Sequence, residues 1–220
     1  MNAREMQLSF EMKIGQFANY DFPVSFQSHE IDDYLNEAQD TVTKNLHAEF
    51  EKTEMVRTEL GPLIRNILIS TFATGSDRHT NGFIANCPTG MMFPIQERCN
   101  VVYTDCNSNT GAKEVKVIPV THDEYALNID NPYTKPYTDL VWRMDHGSTG
   151  AYHKRHELIT DGVVSLTSYS LRYIKRPLVI DIVAKNTCEL DPLAHDDVVD
   201  LAVQIAIKAK SLVQNVQPKQ

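Results

Sequence analysis

The chain has 220 residues and a formal net charge of −8, with 42% hydrophobic and 23% charged residues. That balance fits a globular protein with a sizeable core. No apolar run approaches the roughly 20 residues that span a bilayer, and the acidic balance argues against a nucleic-acid binder of the Lys/Arg-patch type.

Residues 1–27 read as an N-terminal arm. Leu8, Phe10, Met12 and Ile14 alternate as in a short strand, or an arm laid on a neighbour, and Phe17, Tyr20, Phe22 and Phe26 are too aromatic for a disordered tail. Docking on the chain's own body or on an adjacent subunit is expected. The opening residues have no signal-peptide core, so synthesis in the cytoplasm is expected.

Residues 28–50 organise the rest. Ile31, Tyr34, Leu35, Ala38, Val42, Leu46 and Phe50 recur in steps of three and four, which predicts one apolar stripe on an α-helix. Asp33, Glu37, Asp40, Lys44 and Glu51 lie on the solvated side. Ser28 is the expected N-cap, with Glu30, Asp32 and Asp33 in the first turn, where carboxylates suit the helix dipole. A shorter amphipathic piece covers 53–60 and stops at Gly61-Pro62. The β-branched run 63–72 predicts a strand, and 74–82 a polar loop.

The pattern from 83 to 182 is of strands and turns. Residues 99–104 and 113–120 form an expected antiparallel pair across the turn cluster 105–111. Thr121-His-Asp-Glu124 fits a capping box for a short helix over 123–129. Asn131-Pro132 and Lys135-Pro136 bracket an extended loop, and 140–144 is a strand around Trp142. Asp161-Gly162 between two strand-like runs predicts a two-residue hairpin. The run 169–173 alternates, and 178–183 is a further apolar stretch. Asp191 caps the last helix, with Pro192 at its first position and a stripe of Val198, Val199, Ala202, Ile205, Ala206, Ala209 and Val213.

The predicted fold class is α+β, with terminal α-helices packed as a helical bundle and an inserted antiparallel β-rich region. The bundle comprises 28–74 and 190–214, the insertion 75–189, and the whole forms a single structural unit.

The residues that could carry chemistry are few. His146, His153 and His156, with Asp145 and Glu157 beside them, could ligate a divalent metal, but Gly147, Gly150 and the adjoining basic residues favour an exposed loop over 145–155. His122-Asp123 and His195-Asp196 resemble the pairs of metal-dependent phosphohydrolases, yet both fall at expected helix starts. Cys87, Cys99, Cys106 and Cys188 include no CxxC pair and read as free thiols in a reducing compartment. Gly90 reads as a turn glycine. Arg172, Lys175 and Arg176, interleaved with Tyr169 and Tyr173, fit a two-faced strand or an intersubunit salt bridge better than DNA readout. No residue is assigned as catalytic, cofactor-binding or metal-ligating, and no cofactor is expected.

Three stretches carry a resemblance: 35–64 (LNEAQDTVTKNLHAEFEKTEMVRTELGPLI), 115–136 (VKVIPVTHDEYALNIDNPYTKP) and 171–207 (LRYIKRPLVIDIVAKNTCELDPLAHDDVVDLAVQIAI). Together they resemble the ring or head-to-tail connector (adaptor-type) structural proteins of crAss-like short-tailed bacteriophages. Asn131-Pro132, residues 173–177 and residues 188–192 match as fold-defining positions. The resemblance implies a non-enzymatic virion protein of the neck or tail, made in the host cytoplasm. It implies a homo-oligomeric ring of about twelve copies that joins the portal protein, or other tail ring proteins, and passes double-stranded DNA without sequence-specific binding or contact with a membrane. An acidic wall suits such a channel, since it repels phosphate. The rival from another class is a small metal-dependent hydrolase built on the His/Asp cluster; a third reading is an assembly chaperone that leaves before maturation.

Overall fold

The computed structural model describes residues 1–17, 26–74, 81–104, 110–148 and 154–216. The expected features at 18–25, 75–80, 105–109, 149–153 and 217–220 lie outside these. The chain divides into two compact units, Met1–Leu63 with Arg176–Gln220, and Ile64–Lys175.

The first unit is helical. Its first helix, α1 (Ala3–Phe17), corrects the expected strand at 8–14. Ala3, Met6, Phe10 and Ile14 are buried at steps of three and four, while Leu8 and Met12 face out. The alternation was a helical pattern sampled at every second residue. Asn2 and Glu5 form a reciprocal cap: the Glu5 N–H donates to Asn2 Oδ1 at 2.9 Å, and the Asn2 N–H to Glu5 Oε2 at 2.8 Å.

Helix α2 (Ser28–Glu49) buries Ile31, Leu35, Ala38 and Val42, as its stripe requires. Its cap is Gln27 rather than Ser28, because Glu30 reaches back to the Gln27 N–H at 2.9 Å and closes a capping box one residue earlier. Helix α3 (Glu54–Leu60) starts on the Thr53 cap. The helix α5 (His195–Val216) follows a tight turn, Pro192–Ala194, on which Asp191 accepts from the Leu193 N–H at 3.1 Å. It buries Val198, Val199, Ala202, Val203 and Ala206 and lies against both α1 and α2. Lys13 of α1 pairs with Asp200 of α5 at 2.7 Å.

The apolar stretch 178–183 is not one of the sheet strands: 182–183 lie in a turn, and side chains of α2 bond the backbone at 178 and 180. Asn36 Nδ2–H donates to the Ile180 carbonyl at 2.9 Å and Asn36 Oδ1 accepts from the Ile180 N–H at 2.7 Å. Gln39 donates to the Leu178 carbonyl at 2.9 Å. An amide side chain presents the same donor and acceptor as a neighbouring strand, so helix α2 does for this segment what a sheet would do.

Among the described residues, the second unit is an eight-stranded sheet with one helix. The strands are β1 (Ile64–Ile69), β2 (Ala73–Thr74), β3 (Gly82–Asn86), β4 (Met91–Thr104), β5 (Thr110–Pro119), β6 (Leu140–Ser148), β7 (Lys154–Ile159) and β8 (Ser165–Lys175), in spatial order β1-β8-β4-β5-β6-β7-β3-β2. β1 and β2 end that order, yet only residues 70–72 separate them. A linker that short spans about 14 Å, so the sheet curls until its ends approach. The expected 99–104/113–120 pair is there: Cys99 sits opposite Val115 in antiparallel β4 and β5. Two expectations need correction. The insertion is not wholly antiparallel, because α4 (His122–Asn128) lies in the connection from β5 to β6 and lets β6 return parallel to β5. And Asp161-Gly162 forms a turn, with Gly162 at φ +83, but not a hairpin: β7 and β8 pair with different neighbours. Two-residue turn chemistry fixes a local reversal, and the curl then sends the two strands apart.

The inner face of the curl gathers Cys99, Val101, Val115, Val117, Val141, Leu158, Tyr169 and Leu171. Tyr125 of α4 covers a second cluster of Trp142, Met144 and Ile159, its ring edge-on to Trp142 at 6.1 Å.

Candidate functional site

Alternation along β6 and β7 decides what enters the curl. Val141, Arg143 and Asp145 share one face and Trp142 and Met144 the other; His156 and Leu158 share one face and Glu157 and Ile159 the other. One charged residue and one histidine are thereby delivered into an apolar interior, where each requires partners.

They find them. Arg143 Nε lies 3.2 Å from Glu97 Oε2 of β4, Arg143 Nη1 donates to Asp145 Oδ1 at 2.7 Å, and the same Nη1 is 3.3 Å from His156 Nε2. His156 Nδ1 is 2.8 Å from the Tyr169 hydroxyl of β8. The network ties β4 and β8 to β6 and β7, strands that β5 separates in the sheet order. Where the curl brings these faces together, polar groups fix the match.

Burial dominates the electrostatics of the cluster. Burial, aided by the Arg143 charge, lowers the His156 pKa to about 4, so the ring is neutral at physiological pH. Burial pushes Glu97 up despite the pull of Arg143, and pushes the Tyr169 hydroxyl up as well. The Cys87 thiol is driven up to about 12 by burial and the nearby Glu97 charge, and Cys99 is also raised by burial, so neither supplies a thiolate. A hollow of about 410 Å³ along β4 and β5 is lined by Ile95, Glu97, Arg98 and Val117 among others.

Of the expected histidine set, the structure places His156 Nε2 3.6 Å from Asp145 Oδ1. His153 lies outside the described residues, and His146 is half-buried near the end of β6. The exposed-loop reading of 145–155 fails where β6 extends to Ser148 and β7 begins at Lys154. Among the described residues no group of three or more His, Cys, Asp or Glu is placed to hold a metal ion. His122 is exposed in the first turn of α4. His195 is buried; its ring accepts from the Met1 ammonium at 2.7 Å on Nδ1 and its Nε2 meets the Leu190 carbonyl at 3.0 Å, so it locks the start of α5. Burial lowers its pKa. β8 is two-faced as expected, with Tyr169 and Tyr173 buried and Arg172 exposed, and Arg176 pairs with Asp40 of α2 at 2.9 Å. Gly90 is a turn glycine at φ +81.

The sequence reading did not single out Arg143 and Glu97. The signal was present: a charge at an inward position of the apolar run LVWRM demands a buried counter-charge.

Comparison with known proteins returns a consistent picture. The family model described as "Phage tail ring protein 3/4" matches residues 1–217. "Ring protein 3" of Bacteroides phage crAss001 is 26% identical over 209 residues, covering 86% of this chain and 87% of that protein. "Ring protein 4/5" of the same phage is 26% identical over 121 residues, covering 48% of this chain and 49% of that protein.

Proposed function

We propose, because the chain belongs to the phage tail ring protein 3/4 family, that it is a structural subunit of a ring in the neck or tail of a phage particle. The observation that carries this is the family match along nearly the whole chain, 1–217. In the fuller form of the proposal, about twelve copies close into a homo-oligomeric ring that connects the portal to the tail and lines part of the genome-ejection channel. The terminal helices would act as a helical bundle and the inserted sheet would join copies side by side.

The physical character of the chain supports the reading. A ring subunit needs rigid cores and outward surfaces more than a reactive cleft, and here Arg143, Glu97, His156 and Tyr169 form a buried, partnered cluster. A net charge of −8 suits a wall that DNA must pass without sticking. A closed ring of one chain uses a heterologous interface, in which two different patches meet.

The test is quantitative mass spectrometry of purified mature particles. The reading expects this chain in a fixed copy number relative to the portal protein, near one ring's worth. Its presence in infected cells but absence from mature particles would make it an assembly chaperone instead.

A further inference from the structure

A heterologous interface requires a knob and a hole on different parts of one chain, and the two units supply one each. The knob is the loop after α4. Tyr133 is 93% exposed, and Leu127 is 81% exposed beside it in sequence. The loop is not a loose one. The Tyr133 N–H donates to Asn131 Oδ1 at 3.0 Å, the Thr134 and Lys135 N–H groups both donate to the Asn131 carbonyl at 3.2 and 3.0 Å, and Thr134 Oγ1 donates to the Asn128 carbonyl at 3.4 Å. A hydrogen-bonded turn therefore holds an aromatic ring out into water, at a standing cost in solvation. An anchor already held in place loses little conformational entropy on docking, and tyrosine is among the residues that dominate interface energetics. The surroundings are acidic: Asp123, Glu124 and Asp130 against Lys135.

The hole is in the helical unit. A hollow of about 460 Å³ lies between the start of α1 and the turn after the 178–183 segment, lined by Ala3, Arg4, Gln7, Ile182, Lys185 and Thr187. Its rim is built. The Asp181 and Asn186 backbones bond to each other at 2.9 and 3.3 Å, the Ala184 N–H donates to Asp181 Oδ1 at 2.8 Å, and Lys185 stands at φ +60, an uncommon conformation for a side-chain-bearing residue. Arg4 and Lys185 are exposed and enter no ion pair among the described residues. Beside the hollow, Val183 is 87% exposed and Val179 65%. Apolar lining with a cationic rim is the complement of an aromatic tip on an acidic loop.

We infer that the Tyr133 loop of one copy docks into the Arg4–Lys185 hollow of the next copy, and that this contact, repeated head to tail, is part of the interface between subunits. The inference rests on the ring reading above and specifies its surfaces. The two halves are different patches, one in each unit of the same chain, as a heterologous contact requires.

The test places a photoreactive benzophenone amino acid at position 133 in chains that assemble into particles, with a second, isotope-labelled pool of chains present. The expected product links residue 133 to a peptide from residues 1–7 or 182–187 of a differently labelled copy. A link to any other surface, with the chain present in its ring, overturns the docking and leaves the ring reading standing. Absence of the wild-type chain from mature particles sinks the ring reading itself. If the substituted chain alone stays out of particles, charge reversal decides: Lys185→Glu should cut incorporation at least tenfold, and adding Asp130→Lys should restore most of it. Failure of that rescue overturns the docking. Tyr133→Ala should also block incorporation while leaving the melting temperature of the chain unchanged, since its ring is almost wholly in water.

Discussion

The side chain that most constrains the second unit is Arg143. Its guanidinium is the common partner of the buried Glu97 and His156 and of Asp145, whose side chain is largely exposed. Removing one member of a buried ion pair strands the other, at about 3–5 kcal/mol, whereas replacing both with apolar groups is often neutral. Arg143→Met should therefore lower stability by about that amount in denaturant unfolding, and Arg143→Met with Glu97→Leu should recover most of it. Equal losses in the single and double variants would show that the two groups do not act as a pair. His156 sets a pH dependence. Its folded pKa is about 4 against an ordinary 6.5. The unfolded chain thus binds the extra proton first as pH falls. The stability it contributes is full above pH 6.5 and is lost as pH drops towards 4, by up to about 3 kcal/mol. Glu97, shifted upward by burial, works in the opposite sense, since a raised carboxyl favours the folded state as pH falls. The measurement is therefore a difference: unfolding free energy of wild type minus His156→Gln at pH 7 and at pH 4.5. The gap should narrow on acidification, and a constant gap would contradict the burial account.

Helices were legible in the sequence because their periods are local. The stripes of α2 and α5 are written as steps of three and four, and burial of Ile31, Leu35, Ala38, Val198 and Ala202 follows. Helix α1 was missed because Leu8, Phe10, Met12 and Ile14 also alternate; the Asn2–Glu5 capping box was the discriminating signal. Strand partners were less legible. Asp161-Gly162 specifies a turn, but no local rule says that β7 will pair with β3 and β6 while β8 pairs with β1 and β4. That choice belongs to the curl of the whole sheet. The 178–183 segment has strand composition, yet the Leu178 and Ile180 carbonyls are bonded by Gln39 and Asn36, residues some 140 positions away. Asn36→Ala removes both ends of the Ile180 pairing and leaves an N–H and a carbonyl without their partner. It should cost about 2–3 kcal/mol and speed amide exchange at Ile180. No change in the Ile180 exchange rate would mean that the helix does not hold the segment.

At the scale of the molecule, two compact units with outward-facing apolar residues suit the ring subunit proposed above. Family membership along 1–217 points the same way. Large obligate interfaces bury about 2,000 Å² or more, and the exposed residues Leu8, Met12, Leu127, Tyr133, Val179 and Val183 offer apolar area on both units for such contacts. The direct measurement is a cryo-EM reconstruction of the neck of the mature particle. The account predicts a closed ring whose repeating density takes the helical unit and the curled sheet of this chain. A neck fully built from other proteins, with no density for these two units, would contradict it.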